Sequence, residues 1–162
     1  LQKGWKPADV LKEMQFSARD NGRTPMQWSN AAHAGFTTGQ PWLAINANYP
    51  TVNVAAQEAD DQSSLVHFRK MVALRKAQKA LVYGSYSLLD ASNTQVYAFA
   101  RAWKGKQLLV LLNFSDKPAT VNTGMDMTNA TPLLYNYPTP PGNALKPFEA
   151  VIYEWKEKPT MK

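Results

Sequence analysis

The 162-residue sequence contains no cysteine, which excludes disulfide bonds and thiolate metal sites. Because a chain without cysteine is typical of a reducing compartment, we expect a cytoplasmic protein. Histidine is almost absent, and the glycines form no phosphate-binding pattern. His33 has no second metal ligand at a suitable spacing and is interpreted as structural, and His67 is interpreted as a helix-face residue. We therefore expect neither a metal site nor another cofactor.

Long apolar segments and blocks of one charge are also missing. No apolar run approaches the length of a membrane span and no signal-peptide pattern is present, so we expect no membrane partner. The net charge of +6 raises nucleic acid as a partner, but the basic residues are scattered along the chain. A solvated surface is therefore the favoured interpretation, and we expect no nucleic-acid partner.

A predicted β-hairpin organises the second half of the chain. Residues 107–114 include six apolar residues among eight, which is typical of a strand covered on both faces. Residues 94–103 alternate between two faces, and Lys104-Gly-Lys106 supplies a short polar turn between the two strands. The residues that we expect to be buried in this hairpin are Leu109, Leu111, Tyr97 and Phe99.

Other short segments of strand type surround the hairpin, with turn residues between them. The predicted strands cover residues 85–90, 94–103, 106–114, 117–122, 131–136 and 148–154. This spacing predicts an antiparallel β-sandwich.

The first half of the chain is helical at its two ends and irregular between them. A short helix is predicted at residues 7–16, with a proline acceptable in its first turn. Residues 29–51 are dense in glycine, proline and aromatic residues, and so long a loop needs a large surface to lie on. An apolar stripe at three- and four-residue steps predicts a longer helix over residues 54–79.

The segment Arg19-Asp-Asn-Gly-Arg-Thr-Pro-Met-Gln-Trp28 carries more charge than a loop requires. One interpretation is a turn held together by its own ion pair. The other is a guanidinium fork that a carboxylate holds and that points at a polar ligand. The residues by themselves leave both interpretations open.

This segment resembles the RDN-x-RTPMQW motif of the α-amylase superfamily, glycoside hydrolase family 13, in its oligo-1,6-glucosidase branch. The similarity continues in register through Ala34-Gly-Phe-Thr-Thr-Gly-Gln-Pro-Trp42, Met71-Val-Ala-Leu-Arg-Lys76 and Pro147-Phe-Glu-Ala-Val-Ile-Tyr153. It covers nearly the whole chain. That branch includes α-glucosidases, dextran glucosidases, trehalose-6-phosphate hydrolases and sucrose isomerases.

The resemblance implies an α+β fragment, which is the last part of a (β/α)8 barrel followed by an antiparallel β-sandwich. Residues 1–80 would be the end of the catalytic barrel, including a loop and the final helix, and residues 81–162 the C-terminal domain. Because a whole barrel takes about 250 residues, the chain is expected to be part of a longer enzyme. The missing part of its own barrel is then an expected partner.

The resemblance also implies which residues serve the active site. Arg19 corresponds to the family's arginine that reaches the sugar at the non-reducing end, and Asp20 and Arg23 correspond to supports behind it. The nucleophile, the acid/base and any calcium site of the family lie upstream of this motif. We therefore expect no catalytic carboxylate and no metal ligand in this sequence.

The implied function is retaining hydrolysis of α-glucosidic bonds in short oligosaccharides by the parent protein. A trehalose-6-phosphate hydrolase or a sucrose isomerase remains an alternative parent. Two further alternatives are a β-sandwich module that binds glycan or buttresses the barrel, and a non-catalytic relative that serves as a partner subunit.

Overall fold

The computed structural model describes residue 4 and residues 6–17 and 19–155. It divides into two compact units, Leu1–Asp60 and Asp61–Lys162. We describe each unit by itself.

The first unit is built from two helices and a long irregular connection. Helix α1 spans Pro7–Ser17, which confirms the helix predicted at residues 7–16, and it has no buried residue. Residues 29–51 form neither an α-helix nor a strand and contain one 3₁₀ turn, Ala32–Gly35, so the predicted loop is confirmed. Helix α2 follows at Val54–Glu58.

The single helix predicted over residues 54–79 is wrong, because the chain forms separate helices there. Helix α2 ends at Glu58, helix α3 spans Ser64–Ala77, and a short helix α4 spans Ala80–Tyr83. The side chain of Asn53 accepts a hydrogen bond from the Ala56 amide at 2.8 Å, and Ser63 accepts one from the Val66 amide at 3.2 Å. Because both residues have an extended backbone and cap a helix N-terminus, each starts a new helix.

The second unit contains a five-stranded antiparallel sheet. Its strands are β1 (Ser85–Leu89), β2 (Val96–Trp103), β3 (Lys106–Asn113), β4 (Ala130–Tyr135) and β5 (Ala150–Trp155). Their order across the sheet is β1-β2-β3-β5-β4, which places β3 at the centre as its apolar sequence predicts.

The hairpin of β2 and β3 is confirmed, with Trp103 paired to Lys106 across its turn. Lys104 and Gly105 form this two-residue turn, with φ angles of 49° and 77°. Positive φ at both central positions matches the twist of the flanking strands, and glycine adopts it without steric cost.

The strand predicted at residues 117–122 is wrong. Only Ala119 bridges another segment there, exchanging backbone hydrogen bonds of 3.0 and 2.9 Å with Leu145. Pro118 has no N–H to donate, which limits ladder formation at this point. The bridged residues instead pack on the sheet and close its core, whose buried members are Val96, Ala98, Leu109, Leu111, Ala119, Leu145, Val151 and Tyr153. The antiparallel β domain is thus present as predicted.

The buried residues of the hairpin alternate along β2, but two of the four residues predicted to be buried are not. Leu109 and Leu111 are buried as predicted, whereas Tyr97 is 41% exposed and Phe99 is partly exposed. Leu111 pairs with Ala98, so the small residues of β2 share the core face and the aromatic residues lie on the opposite face. The opposite face gains cover from α3 and α4, which belong to the same unit.

A buried polar cluster holds the loops at one end of the sheet. The Asn113 side chain donates to the carbonyl oxygens of Lys117 and Lys146, each at 2.8 Å, and accepts from the Ser115 amide at 2.9 Å. Glu149 is fully buried and accepts from the Lys146 amide at 2.7 Å. Burial, together with the nearby charge of Glu149, raises the pKa of Tyr153. The connection after β3 and the turn before β5 therefore depend on two buried polar side chains.

Replacement of Leu111 by alanine tests the central position of β3. Because Leu111 is 4% exposed within the core, Leu111→Ala should lower the free energy of unfolding by about 2–5 kcal/mol. The matched control is Leu88→Ala on the edge strand β1, where the side chain is 49% exposed. Denaturant unfolding of both variants measures the difference, and equal losses would contradict this description of the core.

Candidate functional site

The predicted site residues lie on one short turn of the first unit. Asp20 begins a 3₁₀ turn, Asp20–Gly22, with Arg19 before it and Arg23 after it. The Gly22 amide donates to the Arg19 carbonyl at 3.1 Å, and the Arg23 amide donates to the Asp20 carbonyl at 2.9 Å. The turn therefore fixes the backbone of both arginines through local hydrogen bonds.

The side chains of these three residues are exposed, and the structure does not bring them together. Within the described part of the chain, Arg19, Asp20 and Arg23 make no side-chain hydrogen bond and no ion pair. A turn held by its own ion pair is therefore not what the structure shows. An exposed guanidinium keeps five N–H donors for a ligand or for a carboxylate from elsewhere.

The segment that follows the turn is anchored along its length. The Gln27 side chain donates to the Asn48 side chain at 3.1 Å and also to the Val52 carbonyl. The Gln27 carbonyl accepts from the Val54 amide at 2.9 Å, and the next carbonyl, of Trp28, accepts from Ala55 at 3.0 Å. These bonds tie the arginine segment to the start of α2. An active-site loop needs such support if its side chains are to hold a defined geometry.

A left-handed turn lies next to this anchored segment. His33, Ala34 and Gly35 have φ angles of 52°, 57° and 67°, so three consecutive residues occupy a region that side chains disfavour. The Ala34 carbonyl accepts hydrogen bonds from the amides of Trp28 at 2.9 Å and of Ser29 at 3.0 Å. Strained backbone of this kind persists only where the surroundings hold it, and it is frequent near functional sites.

The sequence did not reveal this left-handed turn. We interpreted His33 as structural, and Gly35 was the only residue of the turn with an evident preference for positive φ. A run of alanine and histidine carries no turn signal of its own. The positive φ angles of His33 and Ala34 are therefore visible only in the structure.

Large aromatic side chains within the anchored segment and in the loop that follows it remain open to solvent. Trp28, Phe36 and Trp42 are 51%, 49% and 88% exposed. Exposed apolar side chains in such number indicate a surface that another part of a protein, or a ligand, covers.

The described residues include neither a metal-ligating cluster nor a membrane-spanning helix. Among them, no group of three or more His, Asp or Glu side chains is arranged to hold a metal ion. No helix in the described part of the chain is long and apolar enough to cross a bilayer.

Comparison with protein families divides the chain into two matched parts. Residues 1–84 match the model described as alpha amylase, catalytic domain. Residues 86–152 match the model described as maltogenic amylase, C-terminal domain. The arginine turn lies in the first match, and the sheet from β2 to β4 lies in the second.

Curated relatives show which proteins contain a similar segment. The trehalose-6-phosphate hydrolase of Escherichia coli (strain K12) is 40% identical over 154 residues, which is 93% of this chain and 28% of that protein. The oligo-1,6-glucosidase of Bacillus cereus is 33% identical over 96% of this chain and 29% of its own length. The chain therefore spans less than a third of each relative.

Solved structures share the fold of this segment. A trehalulose synthase from Pseudomonas mesoacidophila MX-45 superposes with a TM-score of 0.81 at 36% identity, covering 94% of this chain and 28% of that one. The trehalose-6-phosphate hydrolase of Bacillus licheniformis gives a TM-score of 0.82 at 29% identity, covering 95% and 29%. The fold class expected from the resemblance is confirmed.

Substitution of Gly35 tests whether the left-handed turn is held as described. A Cβ at Gly35 would lie 2.6 Å from the Ser29 Oγ, and its φ of 67° would strain any other residue. Gly35→Ala should therefore destabilise the turn by about 1–3 kcal/mol. Gly39→Ala is the matched control, because a Cβ there meets nothing closer than 3.9 Å. Hydrogen exchange at the Trp28 and Ser29 amides should accelerate in the first variant alone, and unchanged protection would contradict the turn.

Proposed function

Because this chain belongs to the α-amylase family of glycoside hydrolases, we propose that it is the C-terminal part of a retaining α-glucosidase. The whole enzyme would hydrolyse α-glucosidic bonds of short oligosaccharides. Support comes from the exposed Arg19 guanidinium, which stands on a hydrogen-bonded turn inside the segment that matches the catalytic domain. The names of the relatives, trehalose-6-phosphate hydrolase and oligo-1,6-glucosidase, supply the substrate class.

The proposed mechanism assigns recognition, and not bond cleavage, to this chain. Retaining hydrolysis requires a nucleophilic carboxylate and an acid/base carboxyl about 5–5.5 Å apart. We propose that both come from the barrel segment that precedes the arginine turn in relatives. Arg19 would hydrogen-bond the terminal sugar of the substrate and an upstream carboxylate together, because a guanidinium donates in a planar fork.

Asp20 and Arg23 are proposed to support this arrangement. Asp20 begins the turn and Arg23 follows it, yet neither has a polar side-chain partner within the described residues. Their partners would therefore lie in the missing part of the barrel. A charged pair across that junction would hold the turn while leaving the Arg19 fork free for the sugar.

The missing part of the barrel is also the proposed cover for the exposed aromatic residues. Trp28, Phe36 and Trp42 lie in the segment that matches the catalytic domain. Full burial of an exposed apolar side chain is worth about 1.5–3 kcal/mol. Trp28 and Phe36, which are already half buried, would gain a part of this and Trp42 most of it, which would favour docking. We propose further that residues 1–80 end the catalytic barrel, that residues 81–162 form the C-terminal domain, and that the enzyme is cytoplasmic.

The chain by itself should not hydrolyse glycosides. The two carboxyl groups that retaining chemistry requires are assigned to the upstream segment, so the purified chain should leave an aryl α-glucoside, isomaltose and trehalose 6-phosphate intact. The full-length enzyme serves as the positive control under the same conditions. Sustained turnover by the chain alone would contradict this division of roles.

Substitution of Arg19 in the full-length enzyme tests its role in substrate recognition. Arg19→Lys keeps the charge but loses the planar fork, and Arg19→Ala loses both. A charged hydrogen bond at a desolvated site is worth about 1.5–3 kcal/mol, so kcat/KM should fall roughly ten- to a hundredfold in each variant. Thermal unfolding should remain close to that of the parent, because within the described part of the chain the Arg19 side chain makes no hydrogen bond or ion pair.

Arg23→Ala is the matched control for this prediction. It removes the same functional group from the other end of the same turn. We expect it to lower stability more than it lowers kcat/KM, since Arg23 is assigned to support. If Arg19→Ala unfolds early but hydrolyses normally when folded, the proposed contact with substrate is wrong.

A further inference from the structure

A concave surface lies in the second unit, and none of its residues belongs to the arginine turn. This cavity of about 770 Å³ is formed by the first half of α3 and by residues 133–138, which end β4 and begin the connection to β5. We call it the α3–β4 pocket. The lining residues used below are Asp61, Ser64, His67, Phe68, Lys70 and Tyr135. Its volume lies in the range typical of small-molecule sites.

The pocket presents hydrogen-bonding groups that the fold does not use. Within the described part of the chain, the carboxylate of Asp61, the hydroxyl of Ser64 and the imidazole of His67 have no hydrogen-bond or ion-pair partner. The Tyr135 hydroxyl makes no hydrogen bond to another described residue either. These four groups include acceptors and donors, so they can bind a ligand whose hydroxyls both give and take hydrogen bonds.

Other polar groups of the same pocket are fully engaged and therefore fix its shape. The Asn136 side chain donates to the Phe148 carbonyl at 2.9 Å and accepts from the Ala150 amide at 2.8 Å. The Tyr137 hydroxyl donates to the Pro147 carbonyl at 2.8 Å. Because these contacts hold the β4–β5 connection, the wall of the pocket is preformed, which lowers the cost of binding.

An exposed aromatic ring lies in the same pocket as the polar groups. Phe68 lines the pocket and is 56% exposed, although it lies on the apolar stripe of α3. A large apolar ring on an open surface is a binding element when polar groups stand beside it. A sugar ring is complementary to this combination, because its apolar C–H face can pack on the aromatic ring while its surrounding hydroxyls reach the polar groups.

The charge of the pocket favours a neutral ligand. Its lining includes one carboxylate, Asp61, and one ammonium group, Lys70, so it has no net charge at neutral pH. The Lys70 Nζ already donates to the Asp61 carbonyl at 3.1 Å. A phosphate would therefore meet one engaged cation and a repelling carboxylate, whereas anion sites present several cationic donors.

We propose that the α3–β4 pocket is a secondary binding site for a neutral oligosaccharide of the α-glucoside class. Phe68 packs against a sugar ring, while Asp61, Ser64, His67 and Tyr135 bind its hydroxyls. The choice of α-glucosides rests on the proposed function, but binding here needs no catalytic residue. The site would hold substrate or product through residues other than those of the Arg19 turn.

The test is a titration of the isotope-labelled full 162-residue chain, followed by amide NMR. Isomaltose and maltose are added separately, with inorganic phosphate as the anionic probe. Isomaltose, maltose or both should shift the amides of Asp61, Ser64, His67 and Asn136, and the shifts should saturate with a Kd of about a millimolar. Absence of saturable shifts at these amides with both sugars overturns the proposal, and so does tighter binding of phosphate than of either sugar.

Two variants and two controls assign the binding to this pocket. Phe68→Ala should weaken sugar binding about tenfold, which corresponds to the loss of one aromatic contact. Asp61→Asn keeps the shape and removes the charge, so it keeps the proposal testable if Phe68→Ala fails to fold. Phe114→Ala, at a ring that is 70% exposed outside the pocket, should bind as the parent does.

Arg19→Ala separates this proposal from the proposed function. If the α3–β4 pocket binds sugar, that variant should retain binding in the NMR titration. Loss of binding in Arg19→Ala, with retention in Phe68→Ala, would place the sugar at the arginine turn and overturn the pocket. Failure of the full-length enzyme to hydrolyse α-glucosides would overturn the proposed function and leave a measured pocket intact.

Discussion

Burial of β3 on both faces is the constraint on which the second unit depends. Leu108, Leu109, Val110 and Leu111 are consecutive and at most 5% exposed, so each face of the sheet must be covered by a different layer. The layer with the Ala119–Leu145 bridge closes one face. Helices α3 and α4 lie over the other, where Arg75 and Arg101 bind carbonyl oxygens of α4. The helices that begin this unit thus complete the core of the sheet.

In the first unit, hydrogen bonds hold the backbone more than a buried core does. Among its described apolar residues, only Pro25 and Ala34 are buried. Backbone and amide contacts from Gln27, Trp28 and Asn53 hold the segment instead. A segment that is arranged by polar contacts and leaves Trp28 and Trp42 exposed resembles one side of an interface. The remainder of the barrel, proposed above as the cover for these side chains, would be the other side.

The fold was predictable where a local pattern had one physical solution. Alternation and a glycine turn located the β2–β3 hairpin, and the apolar run of β3 located the centre of the sheet. The prediction failed where a single residue ended the helix or strand that the surrounding pattern predicted. Ser63 interrupts a helical stripe by capping a new helix, and Pro118 removes a donor from a segment of strand composition. Tyr97 and Phe99 were expected to be buried, but the small residues of β2 occupy the core face.

The candidate site was predictable to a smaller extent, because a site depends on what converges on it. The motif of residues 19–28 identified Arg19, yet spacing does not reveal the anchors at Asn48 and Val52 that hold the following segment. The left-handed turn at His33 and Ala34 has no sequence signal at all. Such backbone costs about 1–3 kcal/mol per residue, and here it aims the Ala34 carbonyl at two adjacent amides, those of Trp28 and Ser29. These two hydrogen bonds fix the backbone at Trp28, the last residue of the arginine motif, and at Ser29. Under the proposed function, they would keep the end of the recognition loop in place when a sugar binds.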